Sequence, residues 1–591
     1  MNRILAFFSI AVALLGATAI PAAGQGTTRV SVDSAGAEGN GESHEPAISP
    51  DGRFVAFYSS ASNLVPGDTN GVDDVFVHVR RTGETSRVSV DSANAQGNGG
   101  SYISPISSIS TDGRFMTFWS YSSNLVPGDG NGVVDIFVRD RETGATSRVS
   151  VDSAGAEGNG DCGRSSISSN GRFVAFHSAA SNLAPGDTNN LTDVFVHDRE
   201  TGATSRVSVD SSGAGGNTFG YFSAISSNGR FVVFESSSSN LVPGDTNGTN
   251  DIFVHDLRTG LTSRVSVDSA GVEGNGFSSY SAISSNGRFV AFNSSASNLV
   301  PGDTNDDSDV FVHDRRTGAT SRVSIDSAGA EAIGSSTGPS ISPNGRFISF
   351  HSGASNLVPN DANGSDDVFV HDRWTGETSR VSVDSAGAEG NGNSRGASMS
   401  SLGHFIAFDS DASNLAPGDT NGKTDIFVRD RSACDEGRVN AGAGEIVDVL
   451  FVNGSAGGPA RRIALAPNTP FVVNLDSSPA APGPGVYAMY AWPGASVPGE
   501  ERVLPFGIGT TCRATPLSGG GRMPRAIWNS TGQRALGAPT MPSPLTPATL
   551  LEFPAGLGSA GSFYLQGIIA DPGSAGSKPA SVTNGITIDV R

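Results

Sequence analysis

The chain has 591 residues, and its 58 acidic residues outnumber its 38 basic ones, which gives a net charge of −20. A chain of this length exceeds one ordinary hydrophobic core, so we expect at least two domains. The negative charge argues against nucleic acids and anionic membranes as partners and fits a soluble extracellular protein.

Residues 1–24 have the pattern of a signal peptide. Arg3 supplies the positive start, residues 4–20 form an apolar run, and small residues follow at 22–24. The apolar run is short for a membrane span, and no second one follows it. We therefore predict a secreted or periplasmic protein without a membrane span.

An Arg-Val-Ser tract recurs along most of the chain. The spacing is 58 residues, except for one step of 61 residues. A fixed period of this size is typical of a repeat architecture. The seven full copies begin at Arg29, Arg87, Arg148, Arg206, Arg264, Arg322 and Arg380, and a degraded copy begins at Arg438.

Each unit reads as four short antiparallel strands. In the first unit we expect them at residues 46–49, 53–58, 74–78 and 86–91, with tight turns at Asp51-Gly52 and Thr82-Gly83. In the last strand we expect Val88 and Val90 to point inward and Ser89 to point outward. Seven such units without a helix pattern predict an all-β fold, a seven-bladed β-propeller over residues 27–438.

The repeat count also predicts how the ring closes. There are eight Arg-Val-Ser-type tracts but only seven of the tight Asp-Gly-type hairpins, and the tract at Arg438 lacks the following Val-Asp. We therefore expect the N-terminal strand, residues 28–33, to complete the seventh blade. Closure of this kind leaves no long sheet edge exposed.

The blade motifs resemble those of the TolB-type, WD-like propellers of bacteria. The resemblance rests on Ser49-Pro-Asp-Gly-Arg-Phe-Val-Ala-Phe57 and on Asp198-Arg-Glu-Thr-Gly202. It implies a propeller that serves as a binding or scaffold module. The same blades also occur beside hydrolase domains, but no Gly-x-Ser-x-Gly motif follows Arg438.

All the additional length of the unit falls on one face of the predicted disc. The connections between strands 2 and 3 and between consecutive units are long, whereas the other two turns are minimal. Alternate connections of an up-and-down blade lie on opposite faces, so the long ones share a face, which we call the elaborated face. Function is expected there, because loops on a rigid scaffold usually carry it.

The strand 2–3 loop repeats an Asp, Asn, Asp triplet in all seven units. Oxygen ligands at alternate positions of a tight turn suit Ca²⁺, and the pattern resembles shortened integrin-type Ca²⁺ loops. The alternative is an Asx turn, in which the side chains bond their own backbone. The triplets are Asp68, Asn70, Asp74; Asp129, Asn131, Asp135; Asp187, Asn189, Asp193; Asp245, Asn247, Asp251; Asp303, Asn305, Asp309; Asp361, Asn363, Asp367; and Asp419, Asn421, Asp425.

Identical blades cannot by themselves supply the unlike groups that most binding sites need, so residues that break the repeat are the ligand candidates. Variation concentrates just before strand 1, beside the predicted channel. Aromatic rings beside carboxylates and arginine could bind a glycan or a peptide; ordinary loop drift is the alternative. The candidates are Glu42, His44, Glu45, Tyr102, Asp161, Arg164, Phe219, Tyr221, Phe277, Tyr280 and Arg395.

Beyond the repeats, residues 439–591 alternate short apolar runs with Pro/Gly-rich turns, which predicts a small β-sandwich-like domain. The runs lie at 446–452, 471–475, 486–492, 563–569 and 586–590. In an oxidising compartment Cys434 could pair with Cys512, which would leave Cys162 free.

The sequence thus favours a secreted, monomeric binding or scaffold module for a protein or glycan partner. No catalytic constellation stands out, and no cofactor is indicated other than Ca²⁺. The alternative is a propeller enzyme that acts on a polysaccharide or peptide at the channel mouth, where Glu42, His44, Glu45 and Asp161 could form an acid–base or metal cluster.

Overall fold

The computed structural model describes residues 26–431 and, beyond them, the backbone of nine strands. The chain divides after residue 435 into two units, which are described separately. The predicted signal peptide, residues 1–24, and both members of the predicted disulfide, Cys434 and Cys512, lie outside the described residues. Cys162 is buried and unpaired.

Residues 26–431 form seven four-stranded antiparallel sheets, which confirms the seven-bladed propeller. The innermost strands are β2 (Ser43–Ile48), β6 (Ser101–Tyr102), β10 (Cys162–Ile167), β14 (Gly220–Ile225), β18 (Ser278–Ile283), β22 (Ser336–Ile341) and β26 (Ser394–Met399). The second strands are β3 (Phe54–Ser59), β7 (Phe115–Ser120), β11 (Phe173–Ser178), β15 (Phe231–Ser236), β19 (Phe289–Ser294), β23 (Phe347–Ser352) and β27 (Phe405–Ser410). 

The third strands are β4 (Asp74–Val79), β8 (Asp135–Asp140), β12 (Asp193–Asp198), β16 (Asp251–Asp256), β20 (Asp309–Asp314), β24 (Asp367–Asp372) and β28 (Asp425–Asp430). The outer strands are β5 (Glu84–Arg87), β9 (Ala145–Arg148), β13 (Ala203–Arg206), β17 (Leu261–Arg264), β21 (Ala319–Arg322), β25 (Glu377–Arg380) and, for blade 7, β1 (Thr27–Arg29). Blades are numbered 1 to 7 from β2 onward.

The N-terminal strand closes the ring, as the repeat count predicts. Strand β1 pairs antiparallel with β28, with Thr27 opposite Arg429 and Arg29 opposite Phe427. The pairing continues past the strand, where the Val30 amide donates to the Ile426 carbonyl at 2.8 Å. The first and last blades are also in contact through β2 and β26.

The hydrophobic core lies between neighbouring blades, which explains why both faces of the second and third strands are apolar. One cluster, for example, joins Val254 of blade 4 to Phe292 of blade 5. Within blade 1, Phe57 and Phe76 are fully buried, with ring centroids 6.0 Å apart. Burying such a side chain contributes about 1.5–3 kcal/mol, and this pair recurs in every blade.

On the face opposite the long loops, an arginine of one blade covers a phenylalanine of the preceding blade. The Arg80 guanidinium lies 3.9 Å from the Phe405 ring centroid, and Arg141 lies 4.7 Å from Phe54. The tight turns beneath require glycine: Gly52 has a φ of 73°, and an added Cβ would meet Phe405 at 2.3 Å. These contacts join successive blades in the absence of shared strands.

The outer strand is shorter than we predicted from the sequence. In blade 1 it ends at Arg87, and the innermost strand begins already at Ser43. Val88 is inward as expected, but the expectation for Ser89 is wrong: it is fully buried. The reason is a hydrogen bond of 2.5 Å from the Ser89 hydroxyl to the Asp74 carboxylate, which pulls the chain out of the sheet.

The second unit contains nine described strands: β29 (Arg462–Leu465), β30 (Val472–Leu475), β31 (Tyr487–Tyr490), β32 (Arg502–Ile508), β33 (Leu550–Phe553), β34 (Gly561–Leu565), β35 (Ile568–Ile569), β36 (Ser581–Val582) and β37 (Ile586–Val590). They form sheets in the orders β30-β31-β32-β33, β29-β37-β34 and β35-β36. The β-sandwich stays a prediction. In the described parts of both units, no helix is long and apolar enough to cross a membrane.

We predict that deleting residues 26–33 lowers the melting temperature and promotes aggregation, because β28 becomes an exposed sheet edge. Thermal unfolding followed by circular dichroism, together with light scattering, measures both effects. The control is a chain that lacks only residues 1–24, which should melt like the protein that retains them. Equal melting temperatures for the two deletions would contradict a role of β1 in closure.

Candidate ligand site at the mouth of the channel

In six of the seven blades, a β-bulge near the start of the innermost strand directs one residue toward the channel. In blade 1 the pairing register shifts between His44 and Ala47, and Glu45, between them, has a φ of 49°. Five other blades share this geometry, with Arg164, Phe222, Tyr280, Gly338 and Gly396 at the same place. A bulge re-aims a side chain, and left-handed backbone at non-glycine residues often marks functional sites.

A second set of variable residues lies beside the bulges. The fifth residue of the second strand of each blade differs among most blades. Its two neighbours are a phenylalanine and a serine in all seven blades. In blade 1 it is Tyr58, which pairs with His44. We call these seven positions the inner ring: Tyr58, Trp119, His177, Glu235, Asn293, His351 and Asp409.

Five of the six bulge residues, all except Phe222, line a cavity of about 440 Å³ on the elaborated face. This volume lies within the range of about 300–1,000 Å³ that is usual for small-molecule sites. Three members of the inner ring line it, namely Tyr58, His351 and Asp409. The cavity is therefore bounded by the positions at which the blades differ.

The one longer unit contributes an insertion that enters the channel. In blade 2 the innermost strand stops after Tyr102, and the irregular segment that follows places Pro105 and Ile106 in the cavity wall. Ile106 also packs against the apolar clusters that contain Ile283 and Ile341, in blades 5 and 6. The insertion thus extends from blade 2 to the far side of the channel and narrows it.

Two charged groups of the cavity wall, Arg164 and Glu45, are paired with each other. Arg164 donates to the Glu45 carboxylate at 3.0 Å and lies 4.7 Å from the Phe222 ring centroid. The Glu45 amide donates to Asp409 at 3.1 Å. Burial raises the pKa of both carboxyl groups, and Arg164 opposes the rise only for Glu45.

Three inner-ring groups are uncharged or largely so near neutral pH. Burial lowers the pKa of His177 and of His351 to about 4. Burial raises the pKa of Glu235 to about 8, although the Tyr280 amide donates to its carboxylate at 3.2 Å. Of these three groups, only His351 lies in the cavity wall.

Aromatic rings surround the mouth in two groups. In blades 1 and 2, Tyr102 stacks on Trp119 with centroids 4.4 Å apart and meets the edge of Tyr58 at 5.1 Å. In blades 4 and 5, Phe219 stacks on Tyr221 at 5.8 Å, and Phe222 contacts Tyr280. Both groups offer flat apolar surfaces beside the polar cavity.

The structure brings most of the sequence-predicted ligand residues to this mouth. His44, Glu45, Arg164, Tyr280 and Arg395 line the cavity. The predicted residues Tyr102, Phe219 and Tyr221 belong to the aromatic groups described above. Arg395 is also paired, at 2.6 Å, with Asp366.

Three predicted residues belong neither to the cavity wall nor to the aromatic groups. Glu42 accepts a hydrogen bond of 2.6 Å from the Thr424 amide, and Asp161 accepts one of 3.0 Å from Val134. Phe277 is 49% exposed at the start of blade 5. The four residues of the predicted acid–base cluster are therefore separated, because Glu42 and Asp161 bind loop backbone whereas His44 and Glu45 face the cavity.

The inner ring was missed in the sequence analysis, although a signal was present. Its position varies inside a strand whose neighbouring residues hardly change from blade to blade. Alternation places Tyr58 on the same strand face as Phe54, which packs between blades, so the position looked like part of the core.

The Asp, Asn, Asp triplets surround an arginine of the Arg-Val-Ser tract. In blade 4, Arg264 Nη1 lies 3.5 Å from Asp245, 3.1 Å from Asp251 and 2.7 Å from Glu273. Similar groups of three carboxylates, which could in principle hold a metal ion, occur around Arg29, Arg322 and Arg380. A guanidinium therefore provides the positive charge at the centre of each group.

The asparagine of each triplet forms an Asx turn. The Asn247 side-chain oxygen accepts from the Thr249 amide at 2.9 Å, while its amide nitrogen donates to Asp251 and to the Gly274 carbonyl. All seven asparagines make the corresponding backbone contact. The Asx-turn alternative is therefore present in all seven loops, and the Ca²⁺ prediction is not supported, because a guanidinium lies between the carboxylates.

We predict that Arg264→Ala destabilises the propeller by about 3 kcal/mol, because three largely buried carboxylates lose their counter-charge. Arg206→Ala is the matched control with a smaller expected loss, since Gly215 replaces the glutamate and only Asp187 and Asp193 contact Arg206. We also predict that the melting temperature of the wild type is the same in millimolar Ca²⁺ and in the presence of a chelator. A higher melting temperature in Ca²⁺ would instead support the Ca²⁺ prediction.

We predict that the contribution of Glu235 to the stability of the propeller declines as the pH rises from about 4.5 to about 8. In this window the unfolded state loses the proton that the folded state retains, so deprotonation favours unfolding. The variant Glu235→Gln removes this contribution. The difference in melting temperature, variant minus wild type, should therefore increase as the pH rises through this window and stay constant at higher pH. The exposed Glu377, changed to Gln, should show no such trend. A difference independent of pH would contradict the burial of a neutral Glu235.

No protein-family model and no curated protein sequence matches the chain. Solved structures do match it in fold. An oligogalacturonate lyase in complex with manganese has 12% identity and a TM-score of 0.42, and the match covers 68% of this chain and 92% of that one.

Two further similar structures are the propeller domain of the Trilobed protease from Pyrococcus furiosus and TolB from Acinetobacter baumannii. The first has 11% identity and a TM-score of 0.41, with 66% of this chain and 95% of that chain covered. The second has 15% identity and a TM-score of 0.31, with 57% and 65% covered. At such identities the similarity concerns the fold alone. In fold, the chain is similar to TolB proteins and to propellers that belong to enzymes.

Proposed function

We propose that this chain is a secreted or periplasmic binding module that holds a protein or glycan partner at the mouth of its channel. The observation that carries the proposal is the inner ring, where unlike side chains replace one another at a single repeat position. The scaffold around it hardly changes between blades. Ligand recognition accounts for unlike groups converging on one cavity, because identical blades cannot discriminate one end of a ligand from another.

The chemistry of the mouth supports such a role. Aromatic groups occupy blades 1, 2, 4 and 5, whereas the Arg395–Asp366 pair and Asp409 lie in blades 6 and 7. A ligand would thus meet apolar surfaces on one side and polar groups on the other. The net charge of −20 disfavours nucleic acid as that ligand, and we propose a monomer as the binding form.

An enzyme at the same site is the second candidate. It is favoured by the two adjacent buried carboxyl groups of Glu45 and Asp409, whose raised pKa values suit proton transfer. In this case the protein would convert a ligand that binds at the mouth into a product. Product analysis by mass spectrometry, with Glu45→Gln as the inactive variant, separates turnover from binding alone.

We expect wild-type protein to bind a subset of probes on printed glycan and peptide arrays, and Arg164→Gln to lose these signals. The matched control is Arg114→Gln on the opposite face, since Arg114 also joins an ion pair, with Asp140, and covers a ring, that of Phe115. Arg114→Gln should retain the signals. Absence of binding by the wild type, or equal loss in both variants, would contradict the proposed site.

A further inference from the structure

Two histidines of the inner ring lack hydrogen-bond partners. The Nδ1 atoms of His177 and His351 are buried without a partner among the described residues. Three serine hydroxyl groups are also buried without a partner. Ser104 belongs to the blade 2 insertion, and Ser223 and Ser281 belong to innermost strands. A buried polar group without a partner costs about 1–3 kcal/mol, so native proteins usually supply one, from water or from a ligand.

The five histidines of the third strands, in contrast, all have a hydrogen-bond partner. In blade 6, the Nδ1 atom of His371 on the third strand lies 2.9 Å from the Thr378 hydroxyl. His78, His197, His255 and His313 make the same contact in their own blades. His351, by contrast, borders the cavity itself.

The groups that could meet a ligand in the cavity are mostly neutral donors and acceptors. The imidazole of His351 is uncharged near neutral pH, as the low pKa derived above implies. Tyr58, Thr337 and Asn393 add hydroxyl and amide groups to the wall. The arginines are already committed, Arg164 to Glu45 and Arg395 to Asp366. An anionic ligand group would have to break one of these pairs.

Flat aromatic surfaces stand beside this neutral polar cavity. Tyr121 is 61% exposed and Phe219 is 45% exposed, each next to a stacked pair of rings. A pyranose ring presents C–H groups on its faces and hydroxyl groups around its edge, so it matches apolar planes and neutral hydrogen-bonding groups together. A peptide carboxyl terminus would bring a negative charge, and both arginines of the cavity wall are already paired with carboxylates.

We propose that the cavity takes a neutral saccharide residue, whose hydroxyl groups pair with His351 and its neighbours while the sugar chain leaves along the aromatic rim. This inference rests on the proposed function and narrows it to one ligand class. It requires no metal ion and no covalent step.

The probes are array-printed neutral oligosaccharides of glucose, mannose, galactose, xylose and N-acetylglucosamine, beside oligouronates and sialylated glycans. We expect binding to neutral members only, and calorimetry with the best of them should give an affinity about tenfold lower for His351→Phe. His351→Asn should retain part of the affinity, because asparagine serves at this position in blade 5. His371→Arg is the control in the same blade, since Arg139 and Arg429 occupy that position in blades 2 and 7, and it should bind like the wild type.

Binding of acidic glycans alone, or unchanged affinity in His351→Phe, would overturn the inference. Absence of any neutral glycan signal would do so as well, and the unpaired atoms would then be assigned to internal water. If peptide probes still bind and Arg164→Gln abolishes that binding, the channel mouth remains the binding site and only the ligand class is wrong. If no probe of either array binds, both proposals fail.

Discussion

The architecture of the elaborated face depends on one interaction, the contact between the Arg-Val-Ser arginine and the carboxylates of the loops. In blade 4, Arg264 joins the strand 2–3 loop at Asp245, the start of the third strand at Asp251, and the following connection at Glu273. These segments are polar and rich in glycine, and backbone pairing alone would hold them weakly. A charge-assisted contact with low exposure fixes them instead, because few water molecules compete for it.

This internal bracing, the arginine–carboxylate contacts, involves different residues from those that vary at the cavity. The repeated residues hold the loops and the blades in place, whereas the inner ring and the bulge residues differ from blade to blade. Because the bracing does not involve the inner ring, residues there can change without disturbing the loops. The positive φ of Glu45 and of Tyr280 indicates that some backbone strain is retained at the cavity for this purpose.

Much of the propeller could be predicted from the sequence, because a period of 58 residues and paired turn signals determine the blade count and the closing strand. Prediction from the sequence failed where residues far apart along the chain determine the geometry. The carboxylates of Asp68 and Asp74 suggested a cation site, but sequence alone could not place Arg87 between them. Similarly, the bulge at Glu45 alters which side chains face the channel, and strand alternation gives no warning of it.

The pairing of β1 with β28 also determines the order in which the fold can be completed. Thr27 and Arg429 are adjacent in the sheet although some four hundred positions separate them along the chain. The strand that leaves the ribosome first must wait until the last blade has been synthesised before its partner exists, and contacts of such long range form slowly. Opening the ring does not incur the entropic cost of bringing these distant strands together; it requires that the β1–β28 pairing break, so the persistence of the intact ring depends on that short ladder.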